Sequence, residues 1–182
     1  MDWQLVTGIS SIVIACSALG ISIWQATLSR THNKISCRPH LTTWEHGGTT
    51  EIDFAVDLMN NGIGPAVFTS FKIMVDGYAQ SGEGVEPMEK ALNILFRNYN
   101  YKFYTAHFGP SYSMASKENQ RLIAIKFHGE SFPSKNEIDH AMKRAKVEIL
   151  YKSFYDEEFE LIVTKDKSNN PLKGDGDKAA AL

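Results

Sequence analysis

Charged side chains are absent from a long stretch near the start of this 182-residue chain, where none occurs between Asp2 and Arg30. A helix rises about 1.5 Å per residue, so about 20 apolar residues cross a hydrocarbon core about 30 Å thick. The uncharged run is long enough, and Trp3 and Trp24 stand near its ends, where indoles favour the headgroup level. The sequence therefore predicts a transmembrane anchor over residues 1–29, in contact with the lipid bilayer.

Basic residues are missing ahead of this run, whereas a cleaved signal peptide begins with a positively charged region. We therefore expect the segment to be retained as an anchor. The other flank is basic, with Arg30, Lys34 and Arg38. Because the positive flank stays in the cytoplasm, we predict a single-pass inner-membrane protein with its N-terminus outside. Residues 30–34 are the basic juxtamembrane flank, and the domain that follows is predicted to be cytoplasmic.

The chain also has few cysteines and lacks the histidine spacings that are typical of metal ligands. Of the two cysteines, Cys16 lies in the predicted span and Cys37 lies outside it, so the domain cannot form an internal disulfide. The six histidines include no His-x-His and no pair spaced i, i+4, and no serine sits in a Gly-x-Ser-x-Gly motif. We expect no metal, no cofactor and no catalytic group, and hence a protein that is not an enzyme.

An excess of one charge is missing from the domain as well. The chain has 19 Lys and Arg and 21 Asp and Glu, all of them except Asp2 after the anchor. Nucleic-acid binding usually requires a basic face, so this near balance argues against a nucleic-acid partner. Residues 166–182 lack aromatic residues and are rich in polar ones, which predicts a disordered tail.

Small side chains form a stripe along the predicted span. At about 100° per residue, Ser11, Ala15, Ala18 and Ser22 fall within an arc of about 60°. Small residues let membrane helices approach closely, and serines can hydrogen-bond across the contact. The stripe favours a homo-oligomer formed through the helix, although small residues are frequent in membrane helices in any case.

Alternation of apolar and polar residues predicts a mainly β domain over residues 35–165. The predicted strands are residues 35–44, 51–59, 67–75, 111–115 and 121–127, followed by a hairpin of 147–151 and 159–163. Helical spacing predicts one helix after Pro87, and a capping box at Ser134 predicts another, ending near Ala145. The expected fold is an antiparallel β-sandwich, or a partly open barrel, with two short helical insertions.

The motif Asn60-Asn61-Gly62-Ile63-Gly64-Pro65-Ala66 separates two of these strands. It is not a dinucleotide-binding fingerprint, because the third glycine and the following helix are missing. We instead predict a tight turn whose glycines adopt backbone angles that other residues avoid.

The N-terminal anchor, the Arg38-Pro39 strand, this Asn-Asn-Gly-x-Gly-Pro-Ala turn and a hairpin over residues 151–159 follow one another along the chain. This order resembles a broad, mostly uncharacterised group of bacterial and prophage single-pass membrane proteins. The resemblance covers most of residues 1–165. It implies a β-rich cytoplasmic domain and a membrane location, but no activity.

Seven aromatic residues crowd between Phe96 and Tyr112, with basic residues among them. Rings beside cations stack on planar ligands and are also enriched at protein interfaces. The candidate binding residues are Arg97, Tyr99, Tyr101, Lys102, Tyr104 and His107. The alternation of Tyr99, Tyr101 and Phe103 also fits a strand that simply faces the core, so the sequence leaves both interpretations open.

Two functions fit these observations. The first is a membrane-tethered, non-catalytic binding module that presents a cytoplasmic β domain to a protein partner, which the lack of catalytic motifs favours. The alternative is a ligand- or nucleotide-responsive membrane effector of the antiphage type, which oligomerises through its transmembrane helix. The small-residue stripe and the aromatic stretch motivate this second function.

Overall fold

The computed structural model describes residues 3–50 and 52–165. They form a mixed helix/β fold, with an N-terminal apolar helix and two antiparallel sheets. The predicted disordered tail, residues 166–182, lies outside the described residues. Helix α1 spans Trp3–Ser36, and none of its residues is buried. This helix is long and apolar enough to cross a membrane, with a mean hydropathy of 2.0 over its most apolar 18 residues.

Nine strands and two further helices follow α1 in the described part of the chain. They are β1 (Leu41–His46), β2 (Phe54–Asn60), β3 (Ala66–Val75), β4 (Tyr78–Ala79), α2 (Glu86–Leu95), β5 (Asn100–Tyr104), β6 (Ser113–Met114), β7 (Asn119–His128), α3 (Lys135–Arg144), β8 (Ala145–Lys152) and β9 (Glu158–Thr164). The first sheet has the order β1-β2-β7-β5. The second has the order β4-β3-β8-β9, with β6 paired to β3.

Both sheets and both short helices contribute to one hydrophobic core. In the first sheet Phe54 pairs with Ile125, and Val56 pairs with Ile123, and all four side chains are buried. In the second sheet the buried side chains include Ile73 and those of three further positions: Phe68, Val75 and Ile149. Burial of an apolar side chain of this size stabilises a fold by about 1.5–3 kcal/mol, so this shared core is what holds the two sheets together.

The antiparallel strands gather the loops at two ends of the domain. Strand β1 starts beside α1, and β2 returns to the same end. The α1 end therefore contains residues 37–40, 60–65 and 153–157. The distal end contains residues 46–53 and 128–135, where β1 and β7 stop and β2 begins. A site at the distal end lies on the opposite side of the domain from α1.

A buried asparagine joins the segment after α1 to the domain. Asn60 is 0% exposed, and its Oδ1 accepts hydrogen bonds from the backbone N–H groups of His40 (3.1 Å) and Gly62 (3.0 Å). Its Nδ2 donates to the carbonyl oxygens of Gly64, Met114 and Ala115 at 2.8, 3.4 and 3.1 Å. One side chain thus ties together three separate stretches of backbone.

The glycines of this turn serve a different purpose from the one predicted. Neither Gly62 nor Gly64 has a positive φ, so the prediction of special backbone angles is wrong. A Cβ on Gly62 would overlap the carbonyl oxygen of Arg38, and one on Gly64 would overlap that of Cys37. The turn needs glycine because the segment after α1 lies directly against its backbone.

A carboxylate in the β8–β9 turn fastens the last turn of α1. Glu157 Oε1 lies 2.9 Å from Arg38 Nη2 and 3.6 Å from Lys34 Nζ. The hydrogen bond from Arg38 holds the pKa of Glu157 below its usual value. Together with Asn60, this contact fixes α1 to the domain without a free linker.

Several predicted boundaries are corrected by the structure. Ile35 and Ser36 belong to α1, and β1 begins only at Leu41. The helix cannot continue further, because Pro39 disfavours helical backbone in the residue before it. The predicted strand over residues 111–115 is reduced to Ser113–Met114, and residues 100–104 form a strand. The capping box that starts α3 is confirmed, with Ser134 and Glu137 satisfying each other's backbone N–H groups.

Candidate functional site

Much of the aromatic stretch packs into the core. Phe96 and Phe108 are buried, and β5 turns Tyr101 and Phe103 towards the interior. The ring centroids of Phe96 and Tyr101 lie 5.1 and 6.4 Å from that of Phe127. These distances suit edge-to-face packing, so the core interpretation describes most of these rings.

The six candidate binding residues are divided by the alternation of β5. Tyr99 and Tyr101 are half-buried on the inner side, whereas Lys102 and Tyr104 are exposed on the outer face of the first sheet. His107 is exposed in the following loop. Three of the six lie together, because Arg97, Tyr99 and Tyr101 line one groove of about 510 Å³. The other three do not line it.

The tyrosine hydroxyls of this groove already have partners. Tyr99 donates a hydrogen bond to Glu137 Oε1 and Tyr101 donates one to Asn93 Oδ1, both at 2.7 Å. The bond to Glu137 raises the pKa of Tyr99. Arg97 is the charged side chain among the groove's lining residues. The groove therefore offers ring surface and one guanidinium, rather than a set of free polar groups.

A second opening, the distal cleft, lies at the distal end of the domain and has a volume of about 590 Å³. Its apolar lining includes Phe54, Phe127 and Ile138, which come from β2, β7 and α3. Phe132 stands at its edge and is 59% exposed. Sites for small molecules and cofactors are usually concave and largely apolar, about 300–1,000 Å³ in volume. The distal cleft has the size and lining of a binding site.

The charged groups of the distal cleft are largely paired with one another. Lys165 Nζ lies 2.8 Å from Asp139 Oδ1 and 3.2 Å from Glu45 Oε2. Burial lowers the pKa of Lys165, but its bonds to these carboxylates outweigh burial and leave the pKa raised. Asp53 is paired with Lys126 at 3.1 Å and accepts the backbone N–H of Phe127 at 2.7 Å. Such pairs fix the walls of the cleft, and Lys135 is the one charged lining residue without a described ion pair.

Sequence reasoning missed the distal cleft, because its lining comes from segments far apart in the chain. The sequence pattern places Phe54 in a predicted strand and Ile138 in a predicted short helix, and nothing in it indicates that the two side chains meet. The one available signal was Phe132, an apolar side chain in the otherwise polar connection between β7 and α3.

The outer face of the first sheet carries a polar cluster that the sequence also did not predict. Asp57 is nearly buried, because β2 is a central strand and neither of its faces is fully open. Its Oδ2 lies 2.8 Å from His46 Nε2, and its Oδ1 lies 2.5 Å from Arg121 Nε. The contact with Arg121 is an ion pair without hydrogen-bond alignment. Asp57 thereby positions two basic side chains beside the exposed Trp44.

The predicted helix-association residues all lie on the exposed surface of α1: Ser11, Ala15, Ala18 and Ser22. Both serine hydroxyls bond within their own helix at 2.8 Å, Ser11 to the carbonyl of Thr7 and Ser22 to that of Ala18. These bonds satisfy the hydroxyls in an apolar environment. Association through this stripe would therefore rest on close packing rather than on free donors, and it stays a prediction.

The described residues contain no group of three or more His, Cys, Asp and Glu side chains that could hold a metal ion. The distal cleft and the Arg97 groove are therefore the two candidate binding sites. Comparison with known proteins adds no candidate, since the chain matches no protein-family model and no curated protein sequence.

Proposed function

We propose that this protein is a membrane-anchored, non-catalytic binding module whose domain holds a protein partner in the distal cleft. In this proposal α1 spans the inner membrane with its N-terminus outside, and the two sheets form a cytoplasmic β-sandwich. The observation that carries the proposal is the position of the cleft. It opens at the end of the domain opposite α1, where a cytoplasmic protein has access to it.

The chemistry of the cleft favours a protein over a nucleotide. A phosphate-bearing ligand needs cations that are free to contact it. The distal cleft is lined by three carboxylates and two lysines, of which Lys165 is paired and only Lys135 has no described ion pair. An apolar floor beside an exposed phenylalanine instead suits a bulky apolar side chain of a partner, the kind of anchor that dominates protein interfaces. The nucleotide-responsive effector remains the second proposal, and the Arg97 groove, with its ring surface and one guanidinium, is the place that would suit its ligand.

Replacing Phe132 with aspartate should weaken partner binding by about 10-fold or more, because burying a phenylalanine at an interface contributes about 1.5–3 kcal/mol. The partner would be isolated with the full-length protein from native membranes, and its affinity for each purified variant then measured by interferometry. Phe154→Asp is the matched control, since Phe154 is 76% exposed in the β8–β9 turn at the α1 end. Equal affinity of the two variants would exclude the distal cleft as the binding site.

The orientation predicts the behaviour of fusions after Leu182. A fluorescent protein at this position should be active and alkaline phosphatase should be inactive, because the latter requires export. The protein should resist alkaline carbonate extraction, and deletion of residues 1–29 should release it to the soluble fraction. Strong phosphatase activity from the fusion would reverse the orientation, and a carbonate-soluble protein would refute the anchor.

A further inference from the structure

Strand β5 has one paired edge and one open edge. It ends the strand order of the first sheet and pairs with β7 from Asn100 opposite His128 to Tyr104 opposite Ala124. Within residues 3–50 and 52–165, its other edge forms no backbone hydrogen bond with another segment. The unpaired N–H and C=O groups of an edge strand can pair with a further strand.

Strand β5 carries one charged side chain, Lys102, on its outer face, whereas Glu89 and Glu137 lie near the tyrosines of the inner side. No Asp or Glu occurs between Glu89 and Glu118, a stretch that includes all of β5. In the middle of the strand, Lys102 lies directly opposite Lys126 of β7. Lys126 is neutralised by Asp53, whereas no described carboxylate forms an ion pair with Lys102. Opposite charges on facing strands stabilise a sheet, so an acidic group on the open side of β5 would give Lys102 the partner that Lys126 already has in Asp53.

The other side chains of β5 also leave room for a neighbour. Tyr101 and Phe103 face the core but stay only half-buried, and Tyr104 is 67% exposed on the outer face. An added strand would place alternate side chains on these two faces. Apolar residues would extend the core beside Tyr101 and Phe103, and the residues between them would lie beside Lys102.

We propose that β5 accepts an extended acidic segment of another protein as a fifth strand of the first sheet, with a Glu or Asp facing Lys102. Backbone hydrogen bonds supply the pairing in such strand addition, and alternate side chains supply the specificity. The β5 of a second copy brings the same lysine and no acid, so charge complementarity favours a foreign acidic segment. This surface is separate from the distal cleft and would operate whatever the cleft binds.

The test uses the full-length protein in detergent micelles and a capped synthetic peptide, Val-Thr-Val-Glu-Val-Thr-Val. A matched peptide carries Lys in place of Glu. Two further peptides are N-methylated at alternate residues, one on each edge, so that each blocks strand pairing along one edge and keeps the side chains. We expect the Glu peptide to bind at least 10-fold more tightly than the Lys peptide, and N-methylation on the pairing edge to abolish binding. In an antiparallel pair the amides of successive residues point alternately to the two edges. Hydrogen exchange of the β5 amides that point to the open edge should slow only when the Glu peptide is bound.

Charge reversal at Lys102 provides the second arm. Lys102→Glu should invert the preference, so that the Lys peptide binds more tightly, whereas Lys117→Glu, at another exposed lysine of the same acid-free stretch, should leave it unchanged. Equal binding of the Glu and Lys peptides, or binding that survives N-methylation of each edge in turn, would overturn the proposal. Protection of the β5 amides that rises with protein concentration alone would show that a second copy is the occupant, and would overturn it too.

Discussion

Replacing Asn60 with alanine should lower the free energy of unfolding of the domain by about 3 kcal/mol or more. The substitution removes both ends of a fully buried amide and leaves the N–H groups of His40 and Gly62 without their acceptor. A buried polar group that loses its partner costs about 1–3 kcal/mol, and several groups lose theirs together. Urea denaturation followed by tryptophan fluorescence would measure the change.

The neighbouring residue provides the control for Asn60. Asn61 is exposed, and its side chain donates one hydrogen bond, to Thr42 Oγ1 at 2.7 Å. Asn61→Ala should therefore cost less than about 1 kcal/mol. A comparable loss of unfolding free energy in both variants would mean that alanine has the same effect anywhere in this turn. The hydrogen bonds of Asn60 would then contribute no more than that of Asn61.

Replacing Gly64 with alanine should also destabilise the domain, by about 3 kcal/mol. The new Cβ would overlap the carbonyl oxygen of Cys37, so either the turn or the segment after α1 must move. Thermal unfolding would record the loss as a lower melting temperature.

The same change inside α1 should be harmless. Gly20 has nothing within 4 Å of the position of a Cβ, and alanine is favoured over glycine in a helix by about 0.5–1 kcal/mol. Gly20→Ala should therefore leave the melting temperature of the domain unchanged. A Gly64→Ala protein as stable as this control would disprove the close approach of the two backbones.

Sequence patterns predicted the elements whose signals are local. The capping box at Ser134 and the alternation that gives β3, β8 and β9 depend on residues close together in the chain. The start of β1 was placed too early, because residues 35–36 continue a helix already formed upstream. The place of β7 between β2 and β5 could not be predicted, because it depends on pairings with strands far away in sequence.

Less of the candidate site than of the helices and strands could be predicted from the sequence. Alternation correctly suggested that Tyr101 and Phe103 face the core, and the basic residues Arg97 and Lys102 are exposed as expected of a surface. Whether these residues share a surface depends on which face of β5 each occupies, and alternation separates Lys102 from Tyr101. The distal cleft needed the packing of three distant segments, a property that no local pattern records.

The contacts at the end of α1 fix the orientation of the domain relative to the helix. The helix continues about 12 residues beyond Trp24, which is about 18 Å, and Glu157 and Asn60 hold its far end. The lowered pKa of Glu157 extends the charged state of this carboxylate to lower pH, and its contribution to stability is lost as the pH falls through that lowered pKa. A rotation of the helix about its own axis would therefore turn the domain with it. One residue inserted into α1 after Trp24 would rotate the distal cleft by about 100° around the helix axis.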